Sequence, residues 1–591
     1  MYYSKDKLKK ITLSEEPERI GDKGLGQILI LLICLKSLDN GELLLTDKVS
    51  VNDVVAKESQ YNGSPQFIKG EEVTLNQLLQ LQLCLMSPDI SLLLAKLFRE
   101  KTKRGAQAEI NTFISKNGLT GNCCKNISGR KKRNDPQFYT VNDIKIIAFE
   151  FSKLTKKVFQ YLAQSQCTFH GMLFERKDEI VGEKCFPYRI SWGTNRIVFH
   201  GTELFVVLEA KNRFELDRIF LSLLKENKKK IPLDTLLSKR KNQRHFDQQE
   251  LQVLVAGDTY LGEWYTKRRL DRNQWDPLNE EGYDYSFQKV QHFLDESDFS
   301  IVNLEAVLME ELENSPLKRK KKFVLGAKAD KTAQTLKEHA IDLVTLATNH
   351  TGDYGQEGVS STIKTLRKYE LPFIGSGMSD MDALCPYRIT TENQELFIFN
   401  GYWYREPQYL DFGMYAIGDH LGGNCLSDSL FQVISQMKKE FPESKVLVIC
   451  HWGVDFKPIQ NYQRSIAKQL VESGADLIMG HGPHAIQPIE RIGSTDVLYS
   501  LGNFVFNSNG EFDTHPQALP YGMVVKMNLT NQTLTMRVHF IQAENHKTKW
   551  QPQEIDDEDF SKILHDWDSE ELKALGWEIG FNTRTLTKQI W

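Results

Sequence analysis

From Leu251 onward the chain alternates short apolar runs with amphipathic stretches. The runs cover residues 253–256, 300–304, 342–347, 396–400, 445–450, 475–479 and 496–501. Between them lie stretches of helical period at 287–297, 330–340, 359–369, 430–441 and 465–474. Strands apolar on both faces, separated by helices, predict sheets covered by helices. After Gly522 the pattern changes to alternation, at 523–529 and 533–541, which predicts an antiparallel ending. Residues 1–240 mix helical and strand patterns. Their longest apolar run, Leu25 to Leu35, is short of the roughly 20 residues a membrane span needs and predicts a buried helix. Two basic clusters follow, Lys225-Glu-Asn-Lys-Lys-Lys and Ser238-Lys-Arg-Lys-Asn-Gln-Arg-His, and predict a solvated linker rather than a polyanion site. The acidic, Trp-bearing segment 551–591 predicts a helical appendage. The domains expected are therefore 1–240, 245–548 and a tail, 549–591.

Length agrees, since 591 residues exceed what one core organises. A net charge of −4 leaves no footprint for nucleic acid, so none is expected as a partner. The nine cysteines form no CxxC pair, and their one cluster is Cys123-Cys124. They predict buried free thiols in a reducing compartment. Ser14-Glu15-Glu16-Pro17-Glu18 separates the Lys-rich start from the first apolar run, and no cleavage site follows. With no transmembrane segment either, a cytoplasmic protein is expected.

Candidate chemistry sits where the apolar runs end. VLVAGD ends at Asp258, SIVNLE at Glu305, LVTLATNH at Asn349 and His350, VLVICHWG at His451, DLIMGHGPH at His481 and His484, and VLYSLGN at Asn503. Functional groups of α/β folds gather at the carboxyl ends of strands. Carboxylate, amide and imidazole together suit one or two divalent ions of the Mn, Fe or Zn kind. Two ions about 3.5–4 Å apart can activate water and clamp both oxygens of a displacement. Gly257, Gly453, Gly480 and Gly502 allow tight turns beside these positions.

GDTYLG, NLEA, LATNHTGDYG, HWGVDF, GADLIMGHGPHAIQPIE and VLYSLGNFVF occur in the order seen in the CapA (poly-γ-glutamate synthesis) branch of the calcineurin-like metallophosphatases, which residues 251–545 resemble. The resemblance implies a two-layered β-sandwich flanked by helices, α/β/β/α. It implies Asp258, Glu305, Asn349, His451, His481 and His484 as metal ligands, with Glu305 where the wider superfamily has its bridging aspartate. His350 would protonate the leaving group and Asp353 would orient it, while Asn503 and Asp455 line the site. Tyr260 stands where the wider superfamily has a histidine, a departure that puts one metal in doubt.

Residues 1–235 resemble, more faintly, the penicillin-binding D-Ala-D-Ala carboxypeptidases, an α+β, β-lactamase-like fold. The resemblance runs through LLICLKSLDNGELLLTDKVSV, FIKGEEVTLNQLLQLQLCLMSPDISLLLAKLF, INTFISKNGLTGNC, YTVNDIKIIAFEF and VFHGTELFVVLEAKN. The residues that carry that family's chemistry are missing. Gly24 and Gln27 occupy the Ser-x-x-Lys positions, Ser87-Pro88-Asp89 the Ser-x-Asn position and Lys184-Cys185-Phe186 the Lys-Thr-Gly strand. Without a nucleophile no acylation proceeds, which implies an inactive copy that scaffolds, binds a polymer end or dimerises. The loop from Gly129 to Asn134, GRKKRN, reads as a solvated charge run or as a contact for an anionic polymer.

Two functions follow. One is a metal-dependent hydrolase of a phosphoester or amide, acting in capsule, poly-γ-glutamate or related anionic polymer metabolism. The other is a non-catalytic, metal-binding component of a polymer synthesis complex. Substrate, metal and oligomeric state are open at this level.

Overall fold

The strand Leu251–Tyr260 shows how the larger unit is layered. Successive side chains of a strand point to opposite faces. Val253 and Val255 join one buried cluster with Ile398, Leu447, Ile449 and Met479, which belong to a different sheet. Leu254 and Ala256 face the other way, onto Leu336, Ile363 and Leu366 of helices Ala329–Glu338 and Gly355–Lys368. The second sheet repeats the logic. Leu447 and Ile449 point to the shared core, while Val446, Val448 and Cys450 pack on Leu430, Ile434 and Leu470 of helices Asp428–Glu440 and Asn461–Ser473. The result is helix, sheet, sheet, helix: the α/β/β/α sandwich expected from the motifs.

A computed structural model describes the chain except residues 1–7, 11–19, 22–23, 61–63, 121–123, 125, 129–137, 177–187, 201–202, 225–232 and 239–241. The basic loop from Gly129 to Asn134, the Lys184-Cys185-Phe186 segment, Cys123 and most of the two basic clusters lie outside the described residues.

Contacts divide the chain after Asn227. In the unit 228–591 the larger sheet runs Phe373–Ile374, Leu343–Thr345, Phe299–Leu304, Leu251–Tyr260, Tyr521–Leu529, Leu534–Gln542, Thr585–Gln589, Glu578–Gly580. The first four are parallel neighbours, and the rest pair antiparallel. The smaller sheet has seven strands, with Glu395–Tyr402, Lys445–His451, Leu477–His481 and Thr495–Leu501 parallel at its centre.

Two expectations need correction here. The segment 551–591 is not an appendage. Its helices Asp557–Asp566 and Ser569–Ala574 lead into strands Glu578–Gly580 and Thr585–Gln589, which extend the larger sheet. Phe560, Ile563, Trp567 and Trp577 are buried in the inter-sheet core. The spacing of Phe560, Ile563 and Trp567 gives the first tail helix an apolar face, while Asp557, Glu558 and Asp566 are exposed and Asp559 turns inward to accept from Tyr521 and Gln542. Nor is the stretch before Leu251 wholly a solvated linker. Leu233 and Leu236 of helix Leu233–Ser238 pack with Phe397 and Leu430, and Gln243–His245 pairs with Tyr387–Thr390 at the sheet edge.

The unit 1–227 is built around helix Leu25–Asp39, whose residues Leu25 to Leu35 are all buried. Helices Leu75–Leu85, Pro88–Thr102, Ala106–Asn117 and Val141–Ser152 contribute to the same core. A four-stranded sheet runs Leu8–Lys10, Glu203–Val207, Asn195–His200, Tyr188–Trp192, antiparallel in its last three strands. Gly24 caps the central helix in the left-handed region, at φ 115°, and Gln27 donates to the Ser128 carbonyl at 3.0 Å. Among the described residues seven cysteines are buried, and no helix is long and apolar enough to cross a membrane.

Candidate metal centre

Parallel strands deliver their carboxyl ends to one side of a sheet, so the motif residues meet. Asp258 is paired in register with Asn303 on one side and Asn503 on the other, and His451 is opposite His481. The approach is close: a Cβ on Gly257 would stand 2.0 Å from the Gly502 carbonyl oxygen, and that oxygen accepts the Asp258 amide at 2.9 Å. Glu305 follows the end of Phe299–Leu304. The run that carries Asn349 and His350 forms a strand only over Leu343–Thr345, so both residues sit on the turn beyond it.

Asp258 and Glu305 are fully buried, and His451, His481 and Asn503 nearly so. His481 Nδ1 lies 3.6 Å from Asp258 Oδ1, and His484 Nδ1 lies 3.4 Å from Asp258 Oδ2. Glu305 Oε1 is ringed by three imidazole Nε2 atoms: His350 at 3.6 Å, His451 at 3.8 Å and His484 at 3.9 Å. Asp258 is held by the Asn303 amide at 2.7 Å and the Gly482 N–H at 3.2 Å, and Asn303 is held by Thr345 Oγ1 at 2.8 Å. His484 adopts φ 61°, rare for a residue with a side chain, and its Nδ1 is 2.9 Å from Asn503 Oδ1.

Asp258, Glu305 and His484 each offer a ligand atom within 4.8 Å of the others. Both Glu305 oxygens, Asn349 Oδ1 and His481 Nδ1 are buried without a hydrogen-bond partner. Each such atom costs about 1–3 kcal/mol if nothing satisfies it. The donor set of carboxylate, amide and imidazole fits a divalent transition ion.

Beside the cluster, His350 Nδ1 is 2.6 Å from Asp353 Oδ2. Lys321 was not singled out in the sequence, yet its ammonium is 2.6 Å from Asp353 Oδ1, 3.1 Å from His350 Nδ1 and 2.6 Å from the Asn349 carbonyl. The Leu325 N–H donates to Asp353 at 2.7 Å. A cavity of about 150 Å³ opens onto the site, bounded by Lys321, Asn349, His350, Asp455, His484 and Asn503. Asp455 is exposed at its mouth. Asn303 and Lys321 are thus the site residues that sequence reasoning missed. Asn303 lay inside the SIVNLE motif, and Lys321 inside an undifferentiated basic run.

The electrostatics follow from burial. Burial raises Glu305 well above the usual carboxylate range, with Asp258 adding to the effect. Burial alone would also raise Asp258, but the His484 hydrogen bond and the charges of His484, His481 and His451 outweigh it and lower it. Burial would lower His484, and the Glu305 and Asp258 charges lift it instead. Burial lowers His451 to about 3 and depresses His481. His350 is depressed by burial and then by the Lys321 charge.

Residues 252–508 match the family model described as bacterial capsule synthesis protein PGA_cap. The capsule biosynthesis protein CapA of Bacillus anthracis is 32% identical over 273 residues, 45% of this chain and 62% of that protein. The PGA biosynthesis protein CapA of Bacillus subtilis is 28% identical over 265 residues, 44% of this chain and 63% of that one. The chain thus spans about three-fifths of the length of these two relatives. Among solved structures, penicillin-binding protein 6B of Escherichia coli is similar at a TM-score of 0.31 and 15% identity, over 36% of this chain and 72% of that one. Penicillin-binding protein D2 of Listeria monocytogenes is similar at 0.29 and 15%, over 36% and 88%. Over residues 252–508 the chain is thus similar to the PGA_cap family, in agreement with the resemblance read from the CapA-type motifs.

Proposed function

We propose that the C-terminal unit is a divalent-metal-dependent hydrolase of a phosphoester or amide. In this reading it acts with the synthesis machinery of a capsular or poly-γ-glutamate polymer. The observation that carries the proposal is the set of buried, unpartnered atoms on Glu305, Asn349 and His481 beside Asp258. Asp258, Glu305, Asn349, His451, His481 and His484 would hold one or two ions of the Mn, Fe or Zn kind. When bound, such an ion supplies Lewis-acid polarisation of a phosphoryl or carbonyl oxygen.

The remaining work falls to the chain's own groups. Asn303 and the Gly482 N–H orient the Asp258 carboxylate. Asp353 accepts from His350 Nδ1 and so fixes the tautomer, leaving Nε2 on the Glu305 side. With the ring held neutral by burial and Lys321, Nε2 receives a proton from the attacking water and returns it to the leaving group. Lys321 and Lys322 make one wall of the cavity cationic, which suits an anionic substrate. The N-terminal unit, with Gly24 and Gln27 where a nucleophile and its activator would stand, is proposed as non-catalytic.

The test is elemental analysis of the purified full chain together with a panel of phosphodiester and γ-glutamyl substrates. One or two transition-metal ions per chain and a turnover abolished by chelation are expected. A chain that neither retains nor takes up such ions refutes the proposal. A second reading, metal binding without catalysis, is favoured by Tyr260. Its hydroxyl is committed to the Gly326 carbonyl at 3.0 Å and the Trp264 N–H at 2.6 Å, so it offers no ligand. That reading predicts bound metal and no turnover on any substrate of the panel.

A further inference from the structure

We propose that Asp513, Glu544 and His546 form a second divalent-cation site, separate from the first and structural in role. The three residues come from two turns. Asp513 lies on the short helical turn Glu511–Thr514. Glu544 caps the turn Asn545–Thr548, on which His546 sits. Each offers a ligand atom within 4.8 Å of the other two, and His546 Nδ1 is 2.9 Å from Asp513 Oδ2.

An ion pair at the surface would need nothing more, but Glu544 is not at the surface. It is 8% exposed. One carboxylate oxygen, Oε2, accepts the Lys547 N–H at 2.5 Å, while the other, Oε1, is buried without a partner. That oxygen and the imidazole border one gap. A Cβ built on Gly510 would stand 2.8 Å from Glu544 Oε1 and 2.7 Å from His546 Nδ1. Gly510, at φ 74°, keeps the gap open because it has no side chain. A buried carboxylate oxygen facing an imidazole and a second carboxylate is an unmet demand for positive charge. One nitrogen and two oxygens suit zinc or manganese better than calcium or magnesium, which prefer all-oxygen shells. Asp513 and His546 are about half exposed, so an ion can enter from solvent and water can complete its coordination.

The consequence is positional. Glu511 and Ser508 line the cavity of the first site, and Glu511 begins the turn that carries Asp513. An ion bridging Asp513 to Glu544 and His546 would pin that turn and fix the mouth of the cavity.

The experiment uses the full chain stripped by chelator and titrated with zinc. His546→Ala and Asp513→Asn are both partly exposed changes, expected to leave the melting of the stripped protein unchanged. Each should bind one equivalent of zinc fewer than the wild type, or bind that equivalent at least tenfold more weakly. Hydrogen exchange at residues 508–515 should slow on adding zinc in the wild type and in Asp258→Asn, where the first site is damaged, but not in His546→Ala. Wild-type stoichiometry and affinity in both variants would overturn the proposal. So would zinc-dependent protection of 508–515 that persists in His546→Ala.

Discussion

Asp353→Asn isolates the charge at the heart of the proposed proton path. Asp353 is fully buried and receives His350 Nδ1, the Lys321 ammonium and the Leu325 N–H. Its carboxyl is pulled two ways: burial raises it, and the charges of Lys321 and His350 prevail and lower it. Removing one member of a buried pair costs roughly 3–5 kcal/mol because the other charge is left uncompensated. Lys321 is 12% exposed in its side chain and keeps the Asn349 carbonyl, so the lower end, about 3 kcal/mol, is expected. Lys321→Met leaves Asp353 with two donors and should cost about 1.5–2 kcal/mol, the scale of a hydrogen bond to a charged group. In the double variant no charge is stranded. Its loss should therefore fall about 2 kcal/mol short of the sum, a coupling readable by a double-mutant cycle. Denaturant unfolding followed by tryptophan fluorescence suits the measurement, since eight of the nine tryptophans, all but Trp192, lie in the unit 228–591. Turnover of Asp353→Asn should fall by about 10²–10⁴-fold, because an amide can offer its NH₂ to Nδ1 and reverse the tautomer. His350→Asn should fall as far while keeping its metal. Costs that add within about 0.5 kcal/mol, or full turnover in either Asp353→Asn or His350→Asn, would refute the assignment.

Glu305→Gln should stabilise the metal-free chain, by removing a carboxyl that burial disfavours in its charged form, and should abolish stabilisation by added metal. In the wild type that stabilisation is expected to reach about 2.7 kcal/mol at a hundredfold excess over the dissociation constant, and thermal melts with and without metal compare the two. Trp577→Ala should cost about 3–5 kcal/mol by denaturant titration, since the ring is 2% exposed in the inter-sheet core; a loss near zero would restore the tail to an appendage. His539 is lowered to about 4 by burial and then by Lys526 and Arg537. Its unfolded value, near 6.5, is the higher one. The unfolded chain therefore takes up the proton first, and stability present above pH 6.5 is lost as pH falls toward 4, by at most about 3 kcal/mol. The difference between wild type and His539→Gln across that window measures it, and parallel curves would dismiss it. A fluorescent penicillin should not label the chain if Gly24 stands, as the sequence resemblance implies, at the nucleophile position; a covalent adduct would overturn the proposed inactivity of the N-terminal unit.

What the sequence disclosed was decided by which physical rule brings each residue to the site. Asp258, Glu305, His451 and His481 were legible because parallel strands must deliver their carboxyl ends together, and each of these residues terminates an apolar run. Lys321 was not. It is one of five consecutive basic residues, 318 to 322, and no period or cap marks which of them turns inward. The choice is made by the path of the irregular segment 310–325, which sets its ammonium against Asp353, 32 residues further on. Asn303 was hidden for the opposite reason. It lies inside a strand whose every residue is buried, and such a strand reads as core. Only its partners, Asp258, His451 and Thr345, reveal a polar layer beneath the proposed ligands. In the tail, charge masked period: the acidic residues of helix Asp557–Asp566 drew attention from Phe560, Ile563, Leu564 and Trp567, which share one helical face. The same limit covers Asp513, Glu544 and His546, which lie on two turns joined by no strand-end rule. Motif reading reaches as far as regular secondary structure positions side chains, and it stops where loops do the positioning. In this chain Asp258, Glu305, His451 and His481 fall on the first side of that line. Lys321, which tunes His350 and pairs with Asp353, falls on the second.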